Sequence, residues 1–274
     1  MSSYGDLLRW GEQRLDHSQR AGFLLEDAAA RSLVWLRAHA KDAAPADIEQ
    51  RYRDWVERVA GGEPDAYVSG VTHFWKLRLR VTPDVLIPRP DTETLVESAL
   101  EMGGERPQRV ADLGTGSGAV ALSLALERPT WQIIGTDRSA AALDVARRNA
   151  LDCAFSGVRW RQGNWYDAFA TDERFDGLVS NPPYVASDDP ALAPAVRQYE
   201  PASAVIADDN GLADLSVLIG QAPDHLHPRG WLAVEHGYAQ AEAVAALFAR
   251  AGFTDIQCRK DLAGHPRVTC GRLR

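Results

Sequence analysis

Strands and helices alternate from Arg109 to the C-terminus, and that alternation predicts a doubly wound, Rossmann-like α/β sheet. Two further observations complete the class. Residues Ser3 to Gly62 carry helical periodicity only, which sets a small N-terminal helical bundle before the sheet. Between Tyr67 and Val81 the period changes to alternation, which places a β-hairpin linker between the two. The expected boundaries are 1–65 for the bundle, 66–85 for the hairpin and 86–274 for the sheet domain.

In the bundle, a first helix is expected from about Tyr4 to Leu15. Leu25, Ala29, Leu33 and Leu36 recur at helical spacing and predict one helix. Ile48, Tyr52, Trp55, Val56 and Val59 predict another, started near Pro45 and Asp47 and stopped at Gly61 and Gly62. Trp10, Trp35 and Trp55 read as core side chains rather than a ligand cage. In the hairpin, Phe74, Lys76, Arg78 and Arg80 alternate with Trp75, Leu77, Leu79 and Val81, which predicts one basic and one apolar face. Two prolines, Pro88 and Pro90, then hold Arg89 on a stiff loop before a helix from about Thr92 to Met102.

Seven strands are expected in the sheet: Val110–Leu113, Trp131–Thr136, Val158–Arg161, Phe175–Val179, Trp231–Glu235, Thr254–Cys258 and Arg267–Cys270, with an antiparallel member at the end. The intervening helices are Ala119–Leu126, Ala140–Ala150, Leu212–Leu226 and Gln240–Ala251.

A chain of 274 residues with 45% hydrophobic and 25% charged content can bury a full core, which excludes a disordered chain. No apolar run is long enough to span a bilayer, and Met1 to Trp10 lacks a basic stretch followed by an apolar core, so a cytoplasmic protein without membrane partners is expected. Three cysteines without Cys-x-x-Cys spacing, and His225 and His227 without a nearby third ligand, indicate neither a disulfide framework nor a metal site. The net charge of −8 disfavours tracking a phosphate backbone, so no direct nucleic-acid substrate is expected. The basic stretch of Lys76, Arg78, Arg80 and Arg89 and the tail from Arg259 to Arg274 are local exceptions that could meet an acidic partner.

Two stretches carry chemistry. Ser180-Asn181-Pro182-Pro183-Tyr184 follows an apolar strand that the prolines end. Asn181 offers a side-chain carbonyl and Pro182 a backbone carbonyl with no competing N–H, a pair of acceptors suited to a substrate NH2, while Tyr184 offers a ring face for a planar group. Upstream, Asp112-Leu113-Gly114-Thr115-Gly116-Ser117-Gly118 joins the first strand to its helix, and its glycines let a ligand approach the backbone. Asp137 closes the second strand where an acid can hold a ribose diol. A pyrophosphate here would face the Asp112 carboxylate, whereas the ammonium of S-adenosylmethionine would not be repelled. Trp165, after the third strand, could cover an adenine or simply pack.

With these residues, the chain resembles the class I S-adenosylmethionine-dependent methyltransferases and, more narrowly, the release-factor glutamine methyltransferases of the HemK/PrmC type. Gly62-Glu63-Pro64-x-Ala66-Tyr67, Leu86 to Glu93, Tyr199-Glu200-Pro201 and Asp261-Leu262-Ala263-Gly264 add to the match. The resemblance implies methylation of the glutamine amide in the Gly-Gly-Gln tip of class I peptide chain release factors. Asp112, Gly114, Thr115, Gly116, Ser117, Gly118, Asp137, Trp165 and Asn181 would bind the cofactor. Asn181, Pro182, Pro183, Tyr184 and Arg89 would bind the substrate, with Asn181, Pro182 and Tyr184 the catalytic set and a monomer the expected form. The helical bundle would help to engage the release factor. Competing readings are a ribosomal-protein glutamine methyltransferase, an adenine-N6 methyltransferase, a nicotinamide-dependent oxidoreductase and a non-catalytic binding module.

Overall fold

The computed structural model describes residues 2–15, 17–190 and 192–274, and the chain divides into two compact units, Met1–Val71 and Thr72–Arg274. In the first, helices α1 (Tyr4–Leu15), α2 (Ser18–Ala29), α3 (Leu33–Ala38), α4 (Ala46–Ala60) and α5 (Asp65–Ser69) enclose a core of Leu7, Leu24, Leu25, Leu36, Tyr52 and Val56. Gly11 stands inside α1 because a Cβ there would lie 1.9 Å from the Tyr52 hydroxyl oxygen, which itself donates to the Ala21 carbonyl.

The single helix expected across Leu25 to Leu36 is two. Ala30 takes a left-handed conformation (φ 50°) that caps α2, and the Ser32 hydroxyl accepts from Trp35 N to start α3. Helical spacing cannot distinguish a continuous helix from two helices that keep one buried face. The tryptophans pack against this core, as expected, but at its edge. Trp10, Trp35 and Trp55 are half-buried at the edge of the core, with Arg53 over the Trp10 ring and His39 stacked on Trp35 at 3.9 Å.

The hairpin strands are β1 (Val71–Phe74) and β2 (Leu77–Arg80). Leu77 and Leu79 are buried and Arg78 and Arg80 exposed, as the alternation predicts. Phe74 departs from it, being buried, because the tight turn at Trp75 (φ 56°) and Lys76 reverses the chain and resets the parity. The basic stretch meets acids of its own chain. Lys76 pairs with Glu127 at 2.6 Å, Arg80 with Asp152 and Arg89 with Glu200, the Lys76 and Arg80 side chains remaining exposed. In the tail, Arg259 pairs with Glu101 and Arg267 with Asp91 and Asp261.

A 3-10 turn (Pro90–Thr92) leads into α6 (Glu93–Gly103), after which come β3 (Arg109–Leu113), α7 (Ala119–Glu127), β4 (Gln132–Asp137), α8 (Ala140–Asp152), β5 (Arg159–Gln162) and β6 (Phe175–Ser180). The short helices α9 (Pro194–Tyr199) and α10 (Asp208–Gly211) precede α11 (Ala213–Gln221), β7 (Leu226–Glu235), α12 (Ala241–Arg250), β8 (Phe253–Lys260) and β9 (Pro266–Leu273). Helix α11 stops before the expected Leu226 because Pro223 supplies no N–H to the helical ladder. Strand β7 then starts five residues early and loops out after Leu226, since Phe175 pairs with Leu226 and Gly177 with Trp231.

The seven strands lie in the order β5-β4-β3-β6-β7-β9-β8. All pairs from β5 to β7 are parallel, and β9 enters antiparallel between β7 and β8. Two apolar layers cover the sheet. One gathers Leu95, Leu122, Trp131 and Trp231, the other Leu178, Leu215, Phe175 and Phe248. Strand order reverses between the parallel neighbours β3 and β6, so the topological switch point opens at their carboxyl ends.

Gly177 is where β6 admits the buried Trp231, since a Cβ there would lie 2.1 Å from the indole ring. Gly177→Ala is expected to destabilise the protein by about 1–3 kcal/mol through overpacking. A denaturation midpoint equal to that of the parent would remove this account of the glycine.

Candidate active site at the sheet switch point

Leu113 stands opposite both Thr136 of β4 and Ser180 of β6, so the loops that follow these strands, beginning at Gly114, Asp137 and Asn181, emerge side by side. They line a cavity of about 570 Å³ whose wall includes Asp112, Gly114, Asp137, Trp165, Asn181 and Pro183. Thr115, Gly116 and Ser117 line it too.

The glycine loop turns through three left-handed residues, Gly114 (φ 73°), Gly116 (φ 54°) and Gly118 (φ 82°). At Gly116 an added Cβ would meet nothing within 4 Å, so a ligand can reach this backbone. Gly118 is absent from the cavity wall. A Cβ there would press on Trp160 at 2.9 Å, and the residue instead opens α7, its N–H donating to the Thr115 carbonyl. Asn149, fully buried on α8, donates to the carbonyls of Ser117 and Arg80 and so ties the loop to the hairpin.

Asp112 is buried and accepts from the Thr115 hydroxyl at 2.6 Å and from Ala121 N at 3.2 Å. Burial pushes its carboxyl up to about 6, against those two hydrogen bonds and with help from the charge of Asp137. Asp137 accepts from Gly116 N at 3.0 Å and Ser139 N at 2.9 Å, one on each oxygen, which leaves lone pairs for further donors. Trp165 holds a left-handed backbone (φ 49°) and donates from its indole to Asp214 at 3.2 Å. Its ring closes over the glycine loop, 3.0 Å from where a Gly114 Cβ would stand.

On the other wall, Asn181 Nδ2 donates to Thr92 Oγ1 at 3.1 Å, which leaves its Oδ1 as the acceptor available to a ligand. Tyr184 lies outside the cavity wall. Its hydroxyl donates to Glu235 at 2.9 Å and its carbonyl accepts from Gln240, and burial raises its pKa. Pro182 is buried and is not a wall residue. Arg89 also falls outside the wall. Its guanidinium is taken by the buried Glu200, whose other oxygen accepts from Ile87 N, so Arg89 clamps two loops rather than presenting a free cation. Among the described residues no cluster of His, Cys, Asp and Glu could hold a metal ion.

Comparison with known proteins gives this arrangement a family. A model described as "Methyltransferase small domain" matches residues 91–213, and one described as "PrmC N-terminal domain" matches residues 6–70. The release factor glutamine methyltransferase of Salmonella typhimurium is 43% identical over 253 residues, spanning 92% of this chain and 91% of that protein. The chain belongs to the release factor glutamine methyltransferase family. A second relative of that name, from Bordetella pertussis, is 45% identical over 254 residues, 92% of this chain and 94% of its own length. The fold is shared with a solved methyltransferase from Pyrococcus furiosus, at a TM-score of 0.53 and 20% identity over 72% of this chain and 89% of that one. This family member is therefore a methyltransferase, built on the seven-stranded sheet that the alternation of elements predicts.

Sequence reasoning passed over Thr92, Asp214 and Glu235, which hold Asn181, Trp165 and Tyr184. Glu235 carried a usable signal: like Asp112 and Asp137 it is an acid at the carboxyl end of an apolar strand. Thr92 lay within the Leu86 to Glu93 stretch without being singled out, and Asp214 gave no signal, because it sits at a helix start where such residues are ordinary.

Proposed function

We propose that this chain transfers a methyl group from S-adenosyl-L-methionine to the side-chain amide nitrogen (N5) of the glutamine in the Gly-Gly-Gln motif of class I peptide chain release factors. The observation that carries the reading is the pinned Asn181 carboxamide, with Oδ1 free, on the wall of a cavity that also holds two acids and an open glycine loop. Family membership supports the same substrate.

The residues present suit this donor. Its ammonium is matched by the buried Asp112, its ribose by the remaining lone pairs of Asp137, and its base by the Trp165 side. A pyrophosphate would meet two carboxylates and is disfavoured. Bound there, S-adenosylmethionine supplies an electrophilic methyl group.

The chain's own task is to present the nucleophile. An amide nitrogen is weak because its lone pair is delocalised into its carbonyl. Asn181 Oδ1 accepts one amide hydrogen, which orients the nitrogen and stabilises positive charge as it develops; Pro182, buried behind the wall, is not placed to take the second. Pro183 and the Tyr184 segment bound the planar amide. Tyr184 contributes chiefly through its hydroxyl bond to Glu235, since its ring is not part of the cavity wall. Residues 1–65 serve as the surface that engages the release factor, the hairpin of 66–85 joins them to the methyltransferase domain of 86–274, and the enzyme acts as a monomer in the cytoplasm.

Incubation with labelled S-adenosylmethionine and an unmethylated release factor should place label on the tip glutamine, and on neither a Gln→Ala tip variant nor a DNA duplex. Label on adenine would replace this reading. Asn181→Ala should lower turnover by roughly 10²-fold or more with cofactor affinity kept; turnover within threefold of the parent would remove Asn181 from this role. Cofactor affinity should also depend on pH through Asp112. An ammonium prefers the carboxylate, so binding lowers the Asp112 pKa, and affinity is full above about pH 7 and lost as pH falls through about 6. Between pH 7.5 and 5.5 the dissociation constant should rise roughly fourfold, and Asp112→Asn should abolish that step. Titration by calorimetry reads both.

A further inference from the structure

We propose that Leu262 and Tyr238 form an apolar docking surface for the stretch of the release factor that flanks its Gly-Gly-Gln tip, gripping a non-polar side chain about three to five residues from the glutamine. This rests on the reading of the Asn181 cavity as the place that receives the tip glutamine.

Leu262 is fully exposed, the most exposed of the large apolar side chains among the described residues, and Tyr238 is 62% exposed. Both stand at the edge of the sheet where the cavity opens. β6 and β7 are parallel, so Tyr238, three residues past the end of β7, leaves the same edge as Asn181. β9 is antiparallel to both β7 and β8, so the turn from β8 to β9 that carries Leu262 lies on that edge too. Asn181, Tyr238 and Leu262 therefore follow one another in a row, from β6 outward to the last strand.

Both turns are fastened to the amide site. Asp261 is buried, and its carboxylate accepts from His265 N at 2.9 Å and from Arg267 at 3.1 Å. Its own N–H donates to the His265 carbonyl, and Gly264 N donates to the Asp261 carbonyl. The turn is thus closed from within while Leu262 stays in water. Arg267 also pairs with Asp91 at 3.1 Å, one residue before the Thr92 that braces Asn181. Gln240 accepts from Gly237 N at 2.8 Å and donates to the Tyr184 carbonyl at 3.0 Å, which ties the Tyr238 turn to the loop of Asn181. The Tyr238 and His265 rings, with centroids 5.8 Å apart, bring the two turns together.

The chemistry of the tip says what covers this surface. The cavity receives a glutamine side chain beside the cofactor, and the two glycines bring no side chain at all. Residues beyond the motif must then fix its register. Neighbouring strands stand about 4.8 Å apart, so two to three steps outward from β6 place the β8–β9 turn roughly 10–14 Å from Asn181. An extended chain covers about 3.3–3.6 Å per residue, and about three to five residues bridge that interval. Two side chains fall short of the ~1,200 Å² that a stable dimer buries, yet they suffice for a short segment already held by its glutamine.

The test uses the full chain and a purified, unmethylated release factor. Leu262→Ser and Tyr238→Ser should each raise KM for the release factor by roughly tenfold. Their kcat should stay within about threefold of the parent and their S-adenosylmethionine affinity within about twofold, since exposed side chains carry little of the fold. Leu262→Met, which keeps an apolar side chain, should hold the parent KM. Leu262→p-benzoylphenylalanine should crosslink under light to release-factor residues within about five of the tip glutamine. KM values unchanged in both serine variants, or a loss confined to kcat, overturn the proposal. So does a crosslink only to a distant part of the release factor, or to a second copy of this chain. An unchanged KM beside a labelled tip glutamine sinks this inference alone; if the wild type leaves that glutamine unlabelled, the substrate reading fails first and takes the docking surface with it.

Discussion

Strand β3 runs beside β6 with Leu113 opposite Ser180, and the Ser180 hydroxyl donates to the Leu113 carbonyl at 2.7 Å where the two strands end. This contact sets the separation of the glycine loop from Asn181. Parallel strands that reverse order at this point leave a crevice no side chain fills, and both loops open into it. The apolar layers on either face make the pairing rigid. Trp231 occupies the space above Gly177 on one side, and Phe175 and Leu178 pack against α11 on the other.

Burial does much of the electrostatic work at the site. Asp112 and Glu235 are both acids at the carboxyl ends of central strands, both nearly inaccessible, and both raised toward neutrality. Neither is neutralised at short range by a lysine or arginine in the way that Glu200 is by Arg89. An unpaired buried carboxylate is costly, and a fold keeps one where its charge or its acceptor capacity is used. Asp112 accepts from the Thr115 hydroxyl and Ala121 N, and Glu235 from the Tyr184 hydroxyl. Arg89 and Glu200 show the opposite economy, a paired and satisfied contact that holds loops together and has nothing left for a ligand.

Much of the fold was legible because its signals are local. Seven strands and their helices follow from apolar runs bounded by glycine and proline, and apart from the start of β7 and the end of α11 the ends of these elements agree with the structure to within a few residues. The misses have physical causes. Spacing alone could not see the break at Ala30, the reset of parity at Trp75, or the looped-out start of β7, since each depends on a backbone turn that the side-chain period does not encode. The cavity wall was legible in Asp112, Gly114, Gly116, Asp137, Trp165 and Asn181, all of which reach it.

By itself the sequence determined which residues could carry the chemistry: the glycines that leave room for a ligand, the acids that end strands, and an Asn before two prolines whose acceptors suit an NH2 group. Only the tertiary structure decided what each one does there. Arg89 and Asn181 both follow extended segments and look equally available in a linear chain, yet one is consumed by Glu200, 111 residues away, and the other is braced by Thr92, 89 residues away. Hydrogen-bond partners so distant in sequence leave no periodic trace, because they exist only once the sheet has brought the ends of its strands together.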